Sequence, residues 1–269
     1  MVLKRLEHGS LIILKKRKAF EMLSAKAVIE NNIPYLCIMK QQFVGLLFLI
    51  TAFTMPATAQ SNHSLWQDSL STLNRLIAAD PNNMELHLRK AAVNIELGQW
   101  DYAADEYTLV LAKDEHNPAA RFYRAYTNTQ MKRYDQALFD YDELLRHLPT
   151  HFEGRLGHAY VQQKMGHQRE SLDELSLMAE MFPDSAVVYA ARAGVESDMK
   201  MLELALYDWE RATQLDSLNA GYVRSHAELL LTMNRPQEVT AVLDEAVRRG
   251  LPRGLFHQLY ARARKTIKH

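Results

Sequence analysis

Residues 118–151 read PAARFYRAYTNTQMKRYDQALFDYDELLRHLPTH, and the alanine at the eighth place, Ala125, returns every 34 residues along the chain. Ala91, Ala159, Ala193, Ala227 and Ala261 are the other members, so the spacing holds without slippage. A period kept this way marks one structural unit used repeatedly. Numbering each window 1 to 34, with this alanine at position 8, brings the other columns into line. Position 14 is Leu97, Met131, Met165, Met199 and Met233. Position 20 is Ser69, Ala103, Ala137, Ser171, Ala205 and Val239, and position 27 is Leu76, Val110, Leu144, Met178, Ala212 and Ala246. Position 32 carries Pro81, Pro149 and Pro183.

Small residues at 8 and 20 with apolar ones at 14, 24 and 27 suit two antiparallel helices per window. Two helices reach the close end of the usual ~8–10 Å spacing only where the facing side chains are small. The helix breakers share the phase. Gly98, Gly166 and Asn234 fall at position 15, where a first helix would end in a left-handed cap. The prolines of position 32 close the second helix, because the residue before a proline is pushed out of helical space. Pro236 suits the first turn of a helix. Helices of roughly 14 residues, about 21 Å long, fill the window.

The period, the alanines at 8 and 20, the aromatics at 17 (Trp100, Tyr134) and 24 (Tyr107, Tyr141, Trp209) and the proline at 32 resemble the tetratricopeptide repeat. The resemblance covers roughly residues 64–268. It implies an all-α, right-handed superhelical solenoid of antiparallel helix pairs. That solenoid would hold a half repeat (64–80), five full repeats (84–117, 118–151, 152–185, 186–219, 220–253) and a closing helix (254–267). Position 4, large in the family, is here His87, Arg121, Arg155, Tyr189 and Val223.

A second pattern precedes the repeats. Met39-Lys40 is followed by 13 uncharged, mostly apolar residues from Phe43 to Met55, then Pro56 and Ala57-Thr58-Ala59. A basic start, an apolar stretch and small residues before a cut describe a cleavable secretory signal over 39–59. The stretch is short of the ~20 residues that span a bilayer as a helix, so no stable span is expected after cleavage. Residues 1–38, basic and out of phase with the repeats, read as an over-extended start before Met39 or, alternatively, as a genuine long leader. The expected mature chain, 60–269, is exported to the periplasm or outside the cell. It keeps 24 Lys+Arg against 29 Asp+Glu, near −5, and an acidic domain lacks the electrostatic footprint for nucleic acid. Cys37, the only cysteine, lies upstream of the cut, which leaves no disulfide framework.

Several constellations invite a chemical reading. Position 7 is Lys90, Arg124, His158, Arg192 and His226, and position 23 is Glu106, Asp140, Glu174, Asp208 and Val242. Four repeats thus pair a base with an acid across the two helices, a pattern that fixes their register. His147 and His151, with Glu153 nearby, have the spacing of two ligands on one helix face, but Pro149 between them breaks that helix. Exposed loop is therefore the reading there, and the methionines of position 14 read as gap-filling core rather than a soft-metal stripe. No metal or cofactor is implied. The chain has no GxSxG, HExxH, GxxxxGK[ST] or GxGxxG, and no pair of acids stands out as acid and base. A non-enzyme is expected.

In the family, positions 2, 5, 9, 12 and 13 of the first helices line the concave groove. Carried over, they nominate Leu88, Phe122, Tyr126, Leu156, Tyr160 and Gln163 as partner-binding residues. The groove would be apolar and aromatic in its first half and small or polar in its second. Family members that clamp a terminal carboxylate use Lys, Asn and Arg there. Here that cluster is missing from positions 5 and 9 until Arg224, beside Glu228. The expected function is a non-catalytic scaffold that binds a protein or extended peptide by burying apolar and aromatic surface. Two other roles fit the same repeats: a structural subunit of a cell-envelope or secretion complex, and a binder of cell-wall peptide or glycan.

Overall fold

The computed structural model describes residues 56–267. The leader (1–38) and most of the expected signal (39–55) lie outside the described residues. Twelve α-helices follow in order: α1 Pro56–Ala79, α2 Met84–Glu96, α3 Trp100–Lys113, α4 Pro118–Gln130, α5 Tyr134–His147, α6 Phe152–Lys164, α7 Gln168–Met181, α8 Ala186–Asp198, α9 Leu202–Leu215, α10 Ala220–Thr232, α11 Pro236–Arg248 and α12 His257–Ile267. A 3₁₀ turn, Arg253–Phe256, precedes α12, and no strand occurs among the described residues. The fold is an all-α repeat of helix pairs. By Cα packing the chain falls into two compact units, one ending at Leu144 and the other starting at Leu145, a division that lies inside α5.

The first helix of each full repeat starts at position 1 and the second at position 17. Position 34 starts the first helices. Asn83, Asn117 and Asn219 accept a hydrogen bond from a backbone N–H in the first turn, and His151 does so through Nδ1 to Gly154 at 3.0 Å. Each of the three asparagines also donates to an aspartate three residues earlier: Asp80, Asp114 or Asp216. Position 15 ends the first helices in the left-handed region in all five repeats. Gly98, Gly166 and Asn234 do so as expected, joined by Lys132 (φ 59°) and Lys200 (φ 63°). In every case the N–H of position 16 reaches the carbonyl of position 11, between 2.8 and 2.9 Å, which closes the turn.

The alanines of position 8 in the five full repeats have no exposed surface, nor do Ala103, Ala137, Ser171, Ala205 and Val239 of position 20. Their smallness brings the two helices together: the Ser171 hydroxyl donates to the carbonyl of Ala159 at 2.7 Å. In the first unit the core runs through Leu88, Ala91, Ala103, Tyr107 and Val110, and Trp66 of α1 packs against Leu73 and Val93. In the second unit one cluster joins Val223, Ala227, Leu243, Phe256 and Tyr260. Three expectations change here. The closing α-helix starts at His257 rather than 254, because Pro252 and the 3₁₀ turn occupy its first positions. Ala261 is exposed, since no second helix packs over position 8 there among the described residues. The methionines of position 14 cap the first helices and none is buried: Met131, Met165 and Met233 are half-buried and Met199 is exposed.

Candidate functional site

Two features carry chemistry: a buried polar stripe between helices, and the outer face of the first helices. The stripe begins with the pairs of positions 7 and 23. Lys90 Nζ lies 2.7 Å from Glu106, and Arg124 forks onto Asp140 at 2.7 and 2.8 Å. Arg192 does the same to Asp208 at 2.6 and 2.8 Å. Both aspartates are almost fully buried, and paired hydrogen bonds are what make such burial tolerable.

Position 4 joins this ladder, which the sequence reading treated only as a departure. His87 Nδ1 meets Glu106 at 2.5 Å, Arg121 donates to Asp140 at 3.0 Å and Arg155 to Glu174 at 2.6 Å. On its other side each of these bases touches a backbone carbonyl at position 32 of the preceding repeat: Pro81, Glu115 and Pro149 respectively. One base thus ties an acid in its own repeat to the turn before it. The signal was present in the sequence as basic residues at position 4 with acids 19 residues later.

Position 11 adds a third column, with Asn94, Asn128, Gln162, Glu196 and Leu230. Where the first three repeats place an amide, the fourth places an acid beside the Arg192–Asp208 pair. Glu196 is buried and its Oε2 has no hydrogen-bond partner. Burial, then the charge of Asp208, pushes its carboxyl up to about 7, against the opposing pull of Arg192. The ladder ends in the fifth repeat, where positions 4 and 23 are Val223 and Val242. Position 7 there is His226, buried, with Nδ1 unpartnered. Burial lowers this imidazole to about 4, so it is neutral near pH 7.

On the first-helix face, the six nominated residues divide by depth. Leu88, Phe122 and Leu156 of position 5 are core residues, 8, 5 and 7% exposed. Phe122 packs edge-on against Tyr123 and Tyr141, with ring centroids 5.1 and 6.2 Å away. A partner cannot reach these three without the helices moving. Position 5 points between helices because it lies three residues from position 8, on nearly the same helix face. Tyr126, Tyr160 and Gln163 are partly exposed. In the first unit Tyr126 stands edge-on to Trp100 at 6.3 Å, and burial together with Glu96 raises its hydroxyl pKa. In the second unit the Lys164 ammonium sits 5.0 Å over the Tyr160 ring, and Gln163 donates to Asp198 at 2.7 Å. Farther along, Glu228 is held by Arg262 at 2.7 Å.

The second helices expose apolar groups that the sequence reading did not single out. Tyr102, Leu109 and Phe139 do so in the first unit, and Leu177, Leu204 and Tyr207 in the second, with Tyr102 and Tyr207 about two-thirds open. All stand at positions 19, 22 or 26. As for metal ligation, His151 spends its Nδ1 on the α6 cap. No helix of the described residues is long and apolar enough to cross a membrane.

No family profile matches the chain, and no curated protein matches it in sequence. Solved structures do share its fold. A tetratricopeptide repeat protein from Parabacteroides merdae aligns with a TM-score of 0.60 at 18% identity, over 97% of this chain and 98% of that one. MamA from Desulfovibrio magneticus aligns at 0.56 with 14% identity, over 62% of this chain and 94% of its own. YrrB, described as a tetratricopeptide repeat protein with an unusual peptide-binding site, aligns at 0.54 with 15% identity, over 73% and 99%. At these identities the likeness establishes the fold: a tetratricopeptide-repeat arrangement of helix pairs.

Proposed function

We propose that this chain is a non-catalytic scaffold that binds a protein or extended peptide along the face of its first helices, and that it works after export. The observation that carries the reading is Tyr126. Its ring is held in place by Trp100 yet stays partly open, and an aromatic fixed before binding gives up little conformational freedom on contact. Tyr160 repeats the arrangement in its own unit under Lys164. A protein of the same fold, YrrB, is described as having a peptide-binding site. The 39–59 pattern supports export, and the near −5 charge of residues 60–269 supports a partner other than nucleic acid.

The test is partner capture with protein purified from its own host, its first residue read beforehand. Gln60 is the expected start, and a chain beginning at Met1 in the cytosol overturns export. Tyr126→Ala and Tyr160→Ala, in variants shown by their denaturant midpoints to remain folded, should each weaken capture by about 2 kcal/mol, nearly thirtyfold. Unchanged capture by folded variants removes the first-helix face as the working surface. In that case a structural subunit of an envelope or secretion complex becomes the reading. The outward Tyr102 and Phe139, and separately Leu204 and Tyr207, favour it, since apolar groups at an assembly edge have somewhere to bury.

A further inference from the structure

The second unit contains a cleft of about 260 Å³ between α9 and α11, floored by Val223 and His226 of α10. It opens where the ladder fails. In the first three repeats the base of position 4 runs between the acid of position 23 and the carbonyl of position 32 in the preceding turn. In the fifth repeat that base is Val223, the acid is Val242, and Ser217 of position 32 lines the space left over. His226 is 6% exposed and its Nδ1 makes no hydrogen bond.

We infer that this cleft receives one arginine side chain from a peptide or protein partner, which fills the place that Arg121 and Arg155 fill in their own repeats. Three observations select a cation over an anion. Of the two carboxylates in the lining, Glu245 is already held by Arg249 at 2.6 Å and by Arg248, which leaves Glu210 as the carboxylate with no arginine on it. The Glu210 side chain accepts from Gln214 at 3.2 Å and lines the cleft. A neutral imidazole with its proton on Nε2 presents Nδ1 as an acceptor, and an arginine carries five donors and no acceptor. The volume falls below the ~300–1,000 Å³ of small-molecule pockets, which suits a single long side chain. This site lies between the second helices α9 and α11, over the buried side of the first helix α10, and stands independently of the Tyr126 and Tyr160 reading above.

The experiment follows the ring nitrogens and carbons of His226 by NMR while N-acetyl-arginine amide is titrated into the full repeat domain, with N-acetyl-glutamate amide as counter-probe. The arginine probe should shift the His226 resonances saturably, with Kd on the order of 1 mM for so small a fragment. Glu210→Gln should weaken it at least threefold. Val223→Arg, which supplies the guanidinium from within, should abolish the shift. If that variant fails to fold, Val242→Phe, which fills the cleft with an apolar ring, serves the same purpose. A flat titration, a shift that persists when the cleft is filled, or stronger binding of the glutamate probe overturns the assignment. Each of these outcomes leaves capture through Tyr126 and Tyr160 to be decided on its own.

Discussion

Lys132 and Lys200 sit with positive φ at position 15, where the other three repeats place Gly98, Gly166 and Asn234. A Cβ in left-handed space meets the following carbonyl, so these two lysines hold a conformation that glycine adopts without strain. Both are exposed, and neither side chain appears in a hydrogen bond that would repay the strain. Lys132→Gly and Lys200→Gly should therefore each raise stability by about 1 kcal/mol, the relief exceeding the added freedom of the unfolded chain. The reverse change, Gly98→Ala, isolates the backbone contribution, because a Cβ there meets nothing within 4 Å. It should cost about 1 kcal/mol. Urea midpoints of the three variants decide it, and a neutral Gly98→Ala would mean that position 15 carries no strain. The columns that showed in the sequence at this scale were those made of unusual residue types: glycine, proline and small alanine. Lys132 and Lys200 were hidden because the backbone demand at their position is met by strain instead of by a residue type that advertises it.

At the scale of helices, legibility followed periodicity. Positions 8, 20, 24 and 27 were readable because burial there constrains size in every repeat and apolarity in nearly all, Ser171 excepted, and those columns run through the core of both units. The position 7 to 23 pairing was readable because opposite charges recur 16 residues apart. The base of position 4 was not, since it took meaning only once the carbonyl of position 32 was seen beside it. The caps of position 34 were missed for a similar reason, as asparagine in a turn is common. Depth was the hardest quantity. Phe122 and Tyr126 are four residues apart on α4, yet one is core and the other partly open, a difference of facing that a residue list does not display. The phase makes a prediction about depth. Ala159 is enclosed between α6 and α7, while Ala261 of α12 is exposed. Ala159→Leu should cost roughly 1–3 kcal/mol by overpacking. Ala261→Leu should change the urea midpoint by less than about 0.5 kcal/mol, as surface substitutions do. Equal effects at the two sites would contradict the assigned helix facing.

In a repeat architecture each unit adds stability through its own core and the faces it shares with its neighbours, so a defect inside one repeat is read in the stability of those around it. Two such defects lie in the second unit and have opposite pH signs. Glu196 has a folded pKa of about 7, above the ordinary 4.5, so the native state holds its proton more tightly than the unfolded chain. Its contribution is fully present below about 4.5, declines as pH rises, and is lost above about 7. His226, at about 4 against an ordinary 6.5, behaves inversely. Its contribution is present above about 6.5 and is lost as pH falls through 4. Between pH 4.5 and 6.5 the two slopes oppose, so the parent protein conceals both. Comparison with single variants separates them. Glu196→Gln puts at position 11 the amide that the third repeat already carries as Gln162, and it removes the ionisation. Its urea midpoint should match the parent near pH 4.5 and exceed it progressively up to pH 7. Above that the gain should level off at roughly 1–3 kcal/mol, the cost of a buried group left unsatisfied. His226→Leu should show its gain only on the acid side, growing as pH falls below 6.5. A Glu196→Gln difference that stayed constant from pH 4.5 to 8 would mean that this carboxylate ionises in the folded protein as it does in water. The position 11 column would then be wet, and the buried ladder would stop at Asp208.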